Sequence, residues 1–574
     1  MSSRSSLRAR LGWSLAALPL VAFAVVPPAA QAVWSTDPDQ NNAIADRASE
    51  QVVPKIAVTP SGDTYIAWFD LAAGSYDVYL QRLDPQGNEM FPHNGILVSD
   101  HSQSTSLVGW DMIADSQGNA VLTFTDTRDG GDLDAFAYRI QSDGTFLWGT
   151  DGIQLSFEAD YTPNPVVTEA SDGDFVFVWA HYPDSGDGSM RMQRIAPDGT
   201  VRFAAGGIDI VTAAGESPGF PLVVPSNDGS VIVGYVRDID TFLAPRHLRA
   251  IRIATDGSTV WGPVVVYDTV SLPIAYQPLG KPDGAGGAVF CWHRSASNLY
   301  NSLVQHLRAD GTEVWSHQGI EVTAQLANYH LNPSFSYDPV ADETIVFWNE
   351  EPTTQNQFGI KGQKIDSDGT LAWGPNGIIT VPMSPTLRYS PHVVGWAGGA
   401  MVFFADEPTG QFNMDRVLGY RVDGAGAVLW GPVEVSSHLS SKSRLPATID
   451  GQGVARMIWE DNRSGNPDVY GQAIRPDGTL GAGTTSVGES ASFAASVAWS
   501  PNPFAARTVL SLASGDGAGI ARVRILDVTG RQVRAFIPAS GQSEIVWDGT
   551  DQDGRALPTG VYFARTTLGA NANE

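Results

Sequence analysis

Pro333-Ser-Phe-Ser-Tyr337, Thr344-Ile-Val-Phe-Trp348, Gly359-Ile-Lys-Gly-Gln-Lys-Ile365 and Thr370-Leu-Ala-Trp373, the last continuing to Ile378-Ile-Thr-Val381, follow one another within fifty residues. Each stretch is short, rich in β-branched and aromatic residues, and bounded by Gly, Asp or Asn, which is the composition of a strand. None keeps a helical period. This part of the chain therefore reads as four successive strands.

Working outward, the aromatic that closes the second strand recurs at Trp68, Phe124, Trp179, Tyr235, Trp292, Trp348, Phe404 and Trp459, with separations of 56, 55, 56, 57, 56, 56 and 55 residues. A turn glycine, mostly in Asp-Gly-Thr or Asp-Gly-Ser, keeps step with it at Gly87, Gly144, Gly199, Gly257, Gly311, Gly369, Gly426 and Gly478. Two independent markers held in register over eight units define a repeat. Four antiparallel strands per unit predict an all-β chain whose body is an eight-bladed β-propeller built from repeats of about 56 residues. An open solenoid is the rival, but its rungs are shorter than this period.

A proline is expected to open the first strand of seven units, at Pro54, Pro165, Pro221, Pro278, Pro333, Pro391 and Pro446, where a missing N–H costs no ladder bond. Residues 33 to 47, opening Val33-Trp-Ser35, look like the Trp-Gly stretches Leu147-Trp-Gly149 and Ala372-Trp-Gly374 of the fourth strand. That likeness predicts that the N-terminal segment completes the last unit by pairing with strands from residues 444 to 476, which removes the open edges of the array.

Arg4, Arg8 and Arg10 precede an apolar run from Leu11 to Val26, and Ala30-Gln-Ala32 follows with a small-x-small pattern. This is the order of a secretory signal peptide over residues 1–32. The protein is thus expected to be secreted, extracellular or on the outer cell surface, with no transmembrane segment in the mature chain. The net charge of −27 argues against nucleic acid and anionic membranes as partners. Cys291, the one cysteine, lies in the apolar run Ala288-Val-Phe-Cys-Trp292 and is read as a buried free thiol, so no disulfide supports the fold.

The period fails after Gly481-Ala-Gly-Thr-Thr485, giving a repeat region over 33–486, a Gly/Ser/Ala-rich linker over 487–497 and a second domain over 498–574. That domain carries Ser500-Pro-Asn-Pro-Phe504, Ala521-Arg-Val-Arg-Ile-Leu-Asp-Val-Thr-Gly-Arg-Gln-Val533, Val546-Trp-Asp-Gly-Thr-Asp-Gln-Asp-Gly554 and Pro558-Thr-Gly-Val-Tyr-Phe563. The string resembles the immunoglobulin-like C-terminal domain related to the flagellar hook-capping protein, and the sorting domains of the type IX secretion route. The resemblance implies an immunoglobulin-like β-sandwich and a type IX-like secretion machinery as partner. The repeats, with Trp459-Glu-Asp-Asn-Arg463 followed by Asp468-Val-Tyr470, resemble the propeller-like arrays found ahead of such domains, which imply no particular activity.

Two residues past each marker aromatic stand Asp70, Asp126, His181, Arg237, Arg294, Glu350, Asp406 and Asp461. All are expected on the face that bears the longer, dissimilar loops, where binding sites generally lie. Five carboxylates in eight would make a charged ring near the axis, able to hold a cation or accept hydrogen bonds from sugar hydroxyls. The competing reading is that each acid ties down its own loop, as Asp126 would with Arg128 and Asp461 with Arg463. The Asp548-to-Gly554 stretch has the acidic spacing of a calcium loop but lacks the downstream Glu. The Asp-Gly turns bear a superficial resemblance to the hairpin boxes of sialidases, with a different spacing. No catalytic residue, metal site or cofactor is assigned, calcium being left open.

The leading expectation is a non-enzymatic surface propeller that binds carbohydrate or protein through its variable face. The alternative is a secreted polysaccharide hydrolase or lyase using carboxylates of that same column.

Overall fold

The structure is a computed structural model that describes residues 33–482 apart from 104–108, 129–132, 158–159, 240–244, 274–276 and 297–298, together with most residues between 497 and 568. Residues 1–32, expected to be a signal peptide, and residues 487–496 of the expected linker lie outside the described residues, while Val497 opens a strand. The chain divides into two compact units, residues 1–483 and 484–574.

In the first unit, eight antiparallel sheets follow one another along the chain. The sixth shows the pattern: Tyr329–Asp338, Glu343–Glu351, Phe358–Ile365 and Ile378–Ser384, each paired with the next. The second strands are buried along their whole length, as in Phe175–His181 and Ala455–Asp461. Each sheet is covered on both faces by its neighbours, so these strands read as continuous apolar runs instead of alternating. The first strand of each sheet touches the first strand of the next, and that of the eighth touches that of the first. The first strands thus form a closed ring around an axis, the arrangement of a β-propeller.

Asn42–Ala45 forms the outer strand of the eighth sheet, with Asn42 opposite Gly471 and Ala43 opposite Tyr470 in the strand Asp468–Ile474. The ring is therefore latched between residues more than four hundred positions apart.

Two sequence expectations need correction. Pro54, Pro221, Pro333 and Pro391 lie inside the first strands, not at their start, because those strands extend further toward the N-terminus. Each follows a residue of positive φ, Val53, Phe220, Asn332 or Ser390, at a break in register. The break is a β-bulge, which absorbs the missing donor. The fourth strand of the sixth sheet begins at Ile378, not Thr370; Leu371 makes a single bridge to Ile365 before Trp373 turns away.

Trp373 and its counterparts join neighbouring sheets. The indole N–H of Trp148, Trp261, Trp315, Trp373 and Trp430 donates to the carbonyl of Pro197, Ala309, Ser367, Gly424 and Pro476, each in the turn of the next sheet that carries the marker glycine, at 2.8–3.2 Å. The turn glycine faces the same ring: a Cβ on Gly311 would stand 2.8 Å from Trp261, and one on Gly369 3.0 Å from Trp315. The tryptophan after the third strand and the turn glycine of the following repeat are halves of one contact.

In the second unit, strands Val497–Ser500, Thr508–Leu512 and Glu544–Trp547 form one three-stranded sheet, and Gln532–Phe536, Ile520–Leu526 and Phe563–Leu568 another. Leu510, Val523, Ile525 and Trp547 are buried in a core of their own. Among the described residues no helix is long and apolar enough to cross a membrane.

Candidate functional site

The eight predicted site residues stand at or near the ends of the second strands. The ring that borders the axis is made by the first strands, so the column sits one strand away from the channel, a correction to the expected axial ring of charge. Residues i and i+2 of a strand share a face, and this explains the two-residue spacing. The indole N–H of Trp68, Trp348 and Trp459 donates to Asp70, Glu350 and Asp461 at 3.4, 3.0 and 2.8 Å.

Every member is engaged. Asp70 accepts the backbone N–H of Ala72 at 2.9 Å, and Asp126 is gripped by Arg128 through both carboxylate oxygens. His181 meets Asp160 at 2.9 Å, Arg237 meets Glu216 at 2.8 Å and Arg294 meets Glu321 at 2.9 Å. Asp406 lies between Arg388 and Arg416 at 2.9 and 2.8 Å. Glu350 accepts from Lys361 at 3.1 Å and from Asn328 at 2.8 Å. Asp461 accepts from Ser440, Arg463 and Trp459. Burial opposes ionisation of both acids, yet His330, Asn328 and Trp348 hold Glu350 down to about 2, and Arg463, Lys442 and Ser440 do the same for Asp461.

All five carboxylates are buried, and a buried carboxylate already held by hydrogen bonds and ion pairs is not free to exchange a proton with a ligand. The column therefore holds the variable-face loops and does not present a free acid and base. Among the described residues no group of three His, Cys, Asp or Glu side chains is placed to hold a metal ion. Asp548 accepts from Thr550 at 2.6 Å and pairs with Arg534 at 2.9 Å, as a turn residue does. Cys291 is buried, and burial pushes its thiol up, out of the reactive range.

A pocket lies among the first strands instead. A cavity of about 450 Å3 is bounded by first-strand segments of the fifth to eighth sheets and includes Lys281, His293, Asn332, Ser334, Ser390 and His392. His293 comes from the second strand of the fifth sheet, where its ring meets Tyr300 edge-on at 5.9 Å. Burial disfavours the charged imidazole and pushes both His293 and His392 down to about 4, so both are neutral bases at neutral pH. Burial also lowers Lys281. Its side chain is exposed to water. Its recorded neighbour is the Phe335 ring, 5.6 Å from the ammonium nitrogen. Among the described residues no carboxylate lines this cavity.

Sequence reasoning missed Lys281 and His392. The signal was present in the columns that follow the first-strand proline. Three residues past it stand Ala57, Thr168, Val224, Lys281, Ser336, Val394 and Ile449, in which Lys281 alone is charged. One residue past it, Lys55 and His392 are the titratable members.

No family model matches the sequence, and no curated relative does either. Solved structures do. The α-L-arabinanase of Penicillium chrysogenum is 15% identical, with 58% of this chain and 99% of that one covered at a TM-score of 0.35. A polysaccharide lyase, an ulvan lyase, is 10% identical, with 67% and 96% covered at 0.43. The α-L-arabinofuranosidase of Fusarium graminearum is 11% identical, with 54% and 91% covered at 0.31. At these values the likeness is one of strand architecture and transfers no residue role. The leading expectation of a non-enzymatic scaffold is nevertheless corrected: these three structures are, by their descriptions, enzymes that act on carbohydrate.

Proposed function

We propose that the protein is an exported carbohydrate-active enzyme that cleaves a polysaccharide in the axial cavity. The observation that carries this reading is the pairing of two neutral imidazoles, His293 and His392, with the ammonium of Lys281 around one 450 Å3 space. Hydrolysis of a glycosidic bond ordinarily needs two carboxylates in separate protonation states, and every acid of the second-strand column is already committed to an ion pair or hydrogen bond. Elimination needs a neutral base to take a ring proton while the glycosidic oxygen leaves with its electron pair. His392 or His293 is suited to the first task. Within the hydrolase or lyase pair, elimination is the chemistry these groups fit. On the variable face the half-exposed ring of Tyr161, stacked on Tyr182 at 6.1 Å, adds an aromatic surface of the kind that meets sugar rings.

Residues 1–32 are read as an export signal, and residues 498–574 as an immunoglobulin-like module for sorting or anchoring at the cell surface. The motif string from Ser500 to Phe563 supports the latter.

Purified protein incubated with a panel of plant and algal polysaccharides is expected to release unsaturated oligosaccharides, seen by ultraviolet absorbance and mass. A His392→Gln variant that still folds should lose about a hundredfold or more in rate, the usual worth of a positioned base. Saturated products formed equally fast by that variant, or no products from any polymer, would sink the reading.

A further inference from the structure

The strand that closes the ring, Asn42–Ala45, is bracketed by two acids, and each faces a histidine of a flanking sheet. Nδ1 of His438, on the outer strand Val428–Ser440 of the seventh sheet, stands 3.2 Å from Asp39. Nε2 of His93, just before the outer strand of the first sheet, stands 3.0 Å from Asp46. The other ring nitrogen of His93 meets Glu89 at 2.8 Å. A neutral imidazole has one N–H and can donate to one of these carboxylates, whereas the charged ring donates to both. Burial lowers the His93 pKa, but Glu89 and Asp46 outweigh it and leave it above the ordinary histidine value.

A third group acts on the same segment. Asp468 opens the strand against which Asn42–Ala45 lies, with Ala45 opposite Val469. Burial raises Asp468 to about 6, and Asp46 and Asp461 add their repulsion. Asp46 thus has an imidazole to attract it when charged and a carboxylate to repel it when charged. As pH falls, the attraction grows and the repulsion fades, so the two titrations act in one direction.

The other charged neighbours hold steady. Arg47 is turned to Asp70 at 3.9 Å and to the ring of Tyr79 at 4.1 Å, and Arg463 donates to the carbonyl of Asp39 at 3.4 Å. Lys442, lowered to about 8 by burial, donates to the carbonyl of His438 at 2.6 Å. The remaining fastenings are uncharged: Trp34 N–H to the carbonyl of Gln86 at 2.8 Å, and the Asn41 amide to the carbonyl of Val435 at 2.9 Å. Each histidine pair is partly exposed and contributes little alone. The strand they hold is only 4 residues long, so small contributions acting together decide how often it lifts.

We infer that the N-terminal strand is a pH-governed clasp, held more firmly when His93 and His438 are charged and Asp468 is not. His93 contributes fully below the unfolded histidine value of about 6.5 and loses that contribution as pH rises through its higher folded value. Ionised Asp468 loosens the strand above about 6. Rising pH therefore frees one strand of the eighth sheet while the other seven sheets stay formed. This holds whatever the axial cavity binds.

Hydrogen exchange of the full chain, read by mass spectrometry on peptides covering residues 34–47 and corrected for the intrinsic pH dependence of exchange, tests the clasp. Protection of Asn42–Ala45 should fall about threefold or more between about pH 5.5 and 7.5, the combined scale of a few exposed charge contacts. Protection of Ala455–Asp461, in the same sheet, should not change with it. A His93→Gln, His438→Gln double variant should lose much of the dependence, and adding Asp468→Asn should remove the rest. In the native chain about 1 M salt should flatten it as well, because exposed charges are then screened within about 3 Å. Equal protection at the two pH values would overturn the inference. So would a dependence that survives in full in the triple variant or, should that variant not fold, in the native chain at high salt.

Discussion

The indole N–H of Trp315 donates to the carbonyl of Ser367 at 3.1 Å, and Ser367 belongs to the next sheet of the ring. The ring of Trp315 is buried beside Gly369 of that same turn and beside His306 of its own sheet. The contact is a seam between two repeats. Replacing Trp315 by Ala is expected to cost about 3–5 kcal/mol, the range for deleting a buried aromatic. Trp315→Phe keeps most of the ring and loses the donor, so it should cost less. Chemical denaturation of the three proteins checks the order, and equal stability of the two variants would show that packing contributes nothing beyond the hydrogen bond.

Gly369 and Gly374 separate two reasons for a glycine. Both have φ in the left-handed region, at +87 and +85. A Cβ on Gly369 would meet Ile320 and Trp315, whereas one on Gly374 would meet nothing within 4 Å. Gly374→Ala should therefore cost only the left-handed backbone, about 1–2 kcal/mol. Gly369→Ala should cost more, because the seam must open as well. Comparing their melting temperatures decides the point.

Asp468 and Asp461 lie directly opposite each other on paired strands, and their environments push them in opposite directions. Burial raises Asp468 to about 6 against the help of Ser464, with Asp46 and Asp461 repelling its charge. Asp461 is held down to about 2. Ionised Asp468 destabilises the fold above about pH 6, and that penalty fades as pH falls toward the value of an unfolded aspartate. Asp461 and Glu350 stabilise the fold above the pKa of the unfolded carboxyls and lose that contribution as pH falls toward about 2. Stability is expected to peak between about pH 4 and 6. Asp468→Asn should raise the melting temperature at about pH 7.5 and remove most of the gain seen on acidification to about pH 5; a variant that melts lower at both values would contradict this.

For catalysis, a base pushed down to about 4 is unprotonated over the whole neutral range. The value of kcat/KM for a cleaved polysaccharide should rise as pH increases through about 4 and stay flat to neutrality. An acid limb near the ordinary histidine value of about 6.5 would show that neither His392 nor His293 is the base.

Much of the fold could be read along the chain because the propeller is a periodic object: Trp179 and Gly199 repeat the roles that Phe124 and Gly144 play one period earlier. The proposed site was harder to see for the opposite reason. Function breaks the period, and Lys281 and His392 hold different positions relative to their prolines, so neither falls in the marker columns. The acid column misled because only half of each pair was local. Arg128 and Arg463 follow their acids by two residues, but Arg388 and Lys442 reach Asp406 and Asp461 from the neighbouring first strand. The bulges at Val53-Pro54 and Ser390-Pro391 were equally silent, since a proline at a strand start and one at a bulge leave the same trace in sequence.

The pairing of Ala43 with Tyr470 sets a timetable. Seven sheets are complete from strands adjacent in sequence and can form as the chain emerges from a ribosome. The eighth cannot, because its outer strand is made first and its other strands last. Contacts between distant residues are slow to form, so the latch is the final event of folding. Until it engages, the early strand must stay available and the eighth sheet lacks its outer edge. A chain that folds in this order becomes a latched ring only once its last repeat has been made.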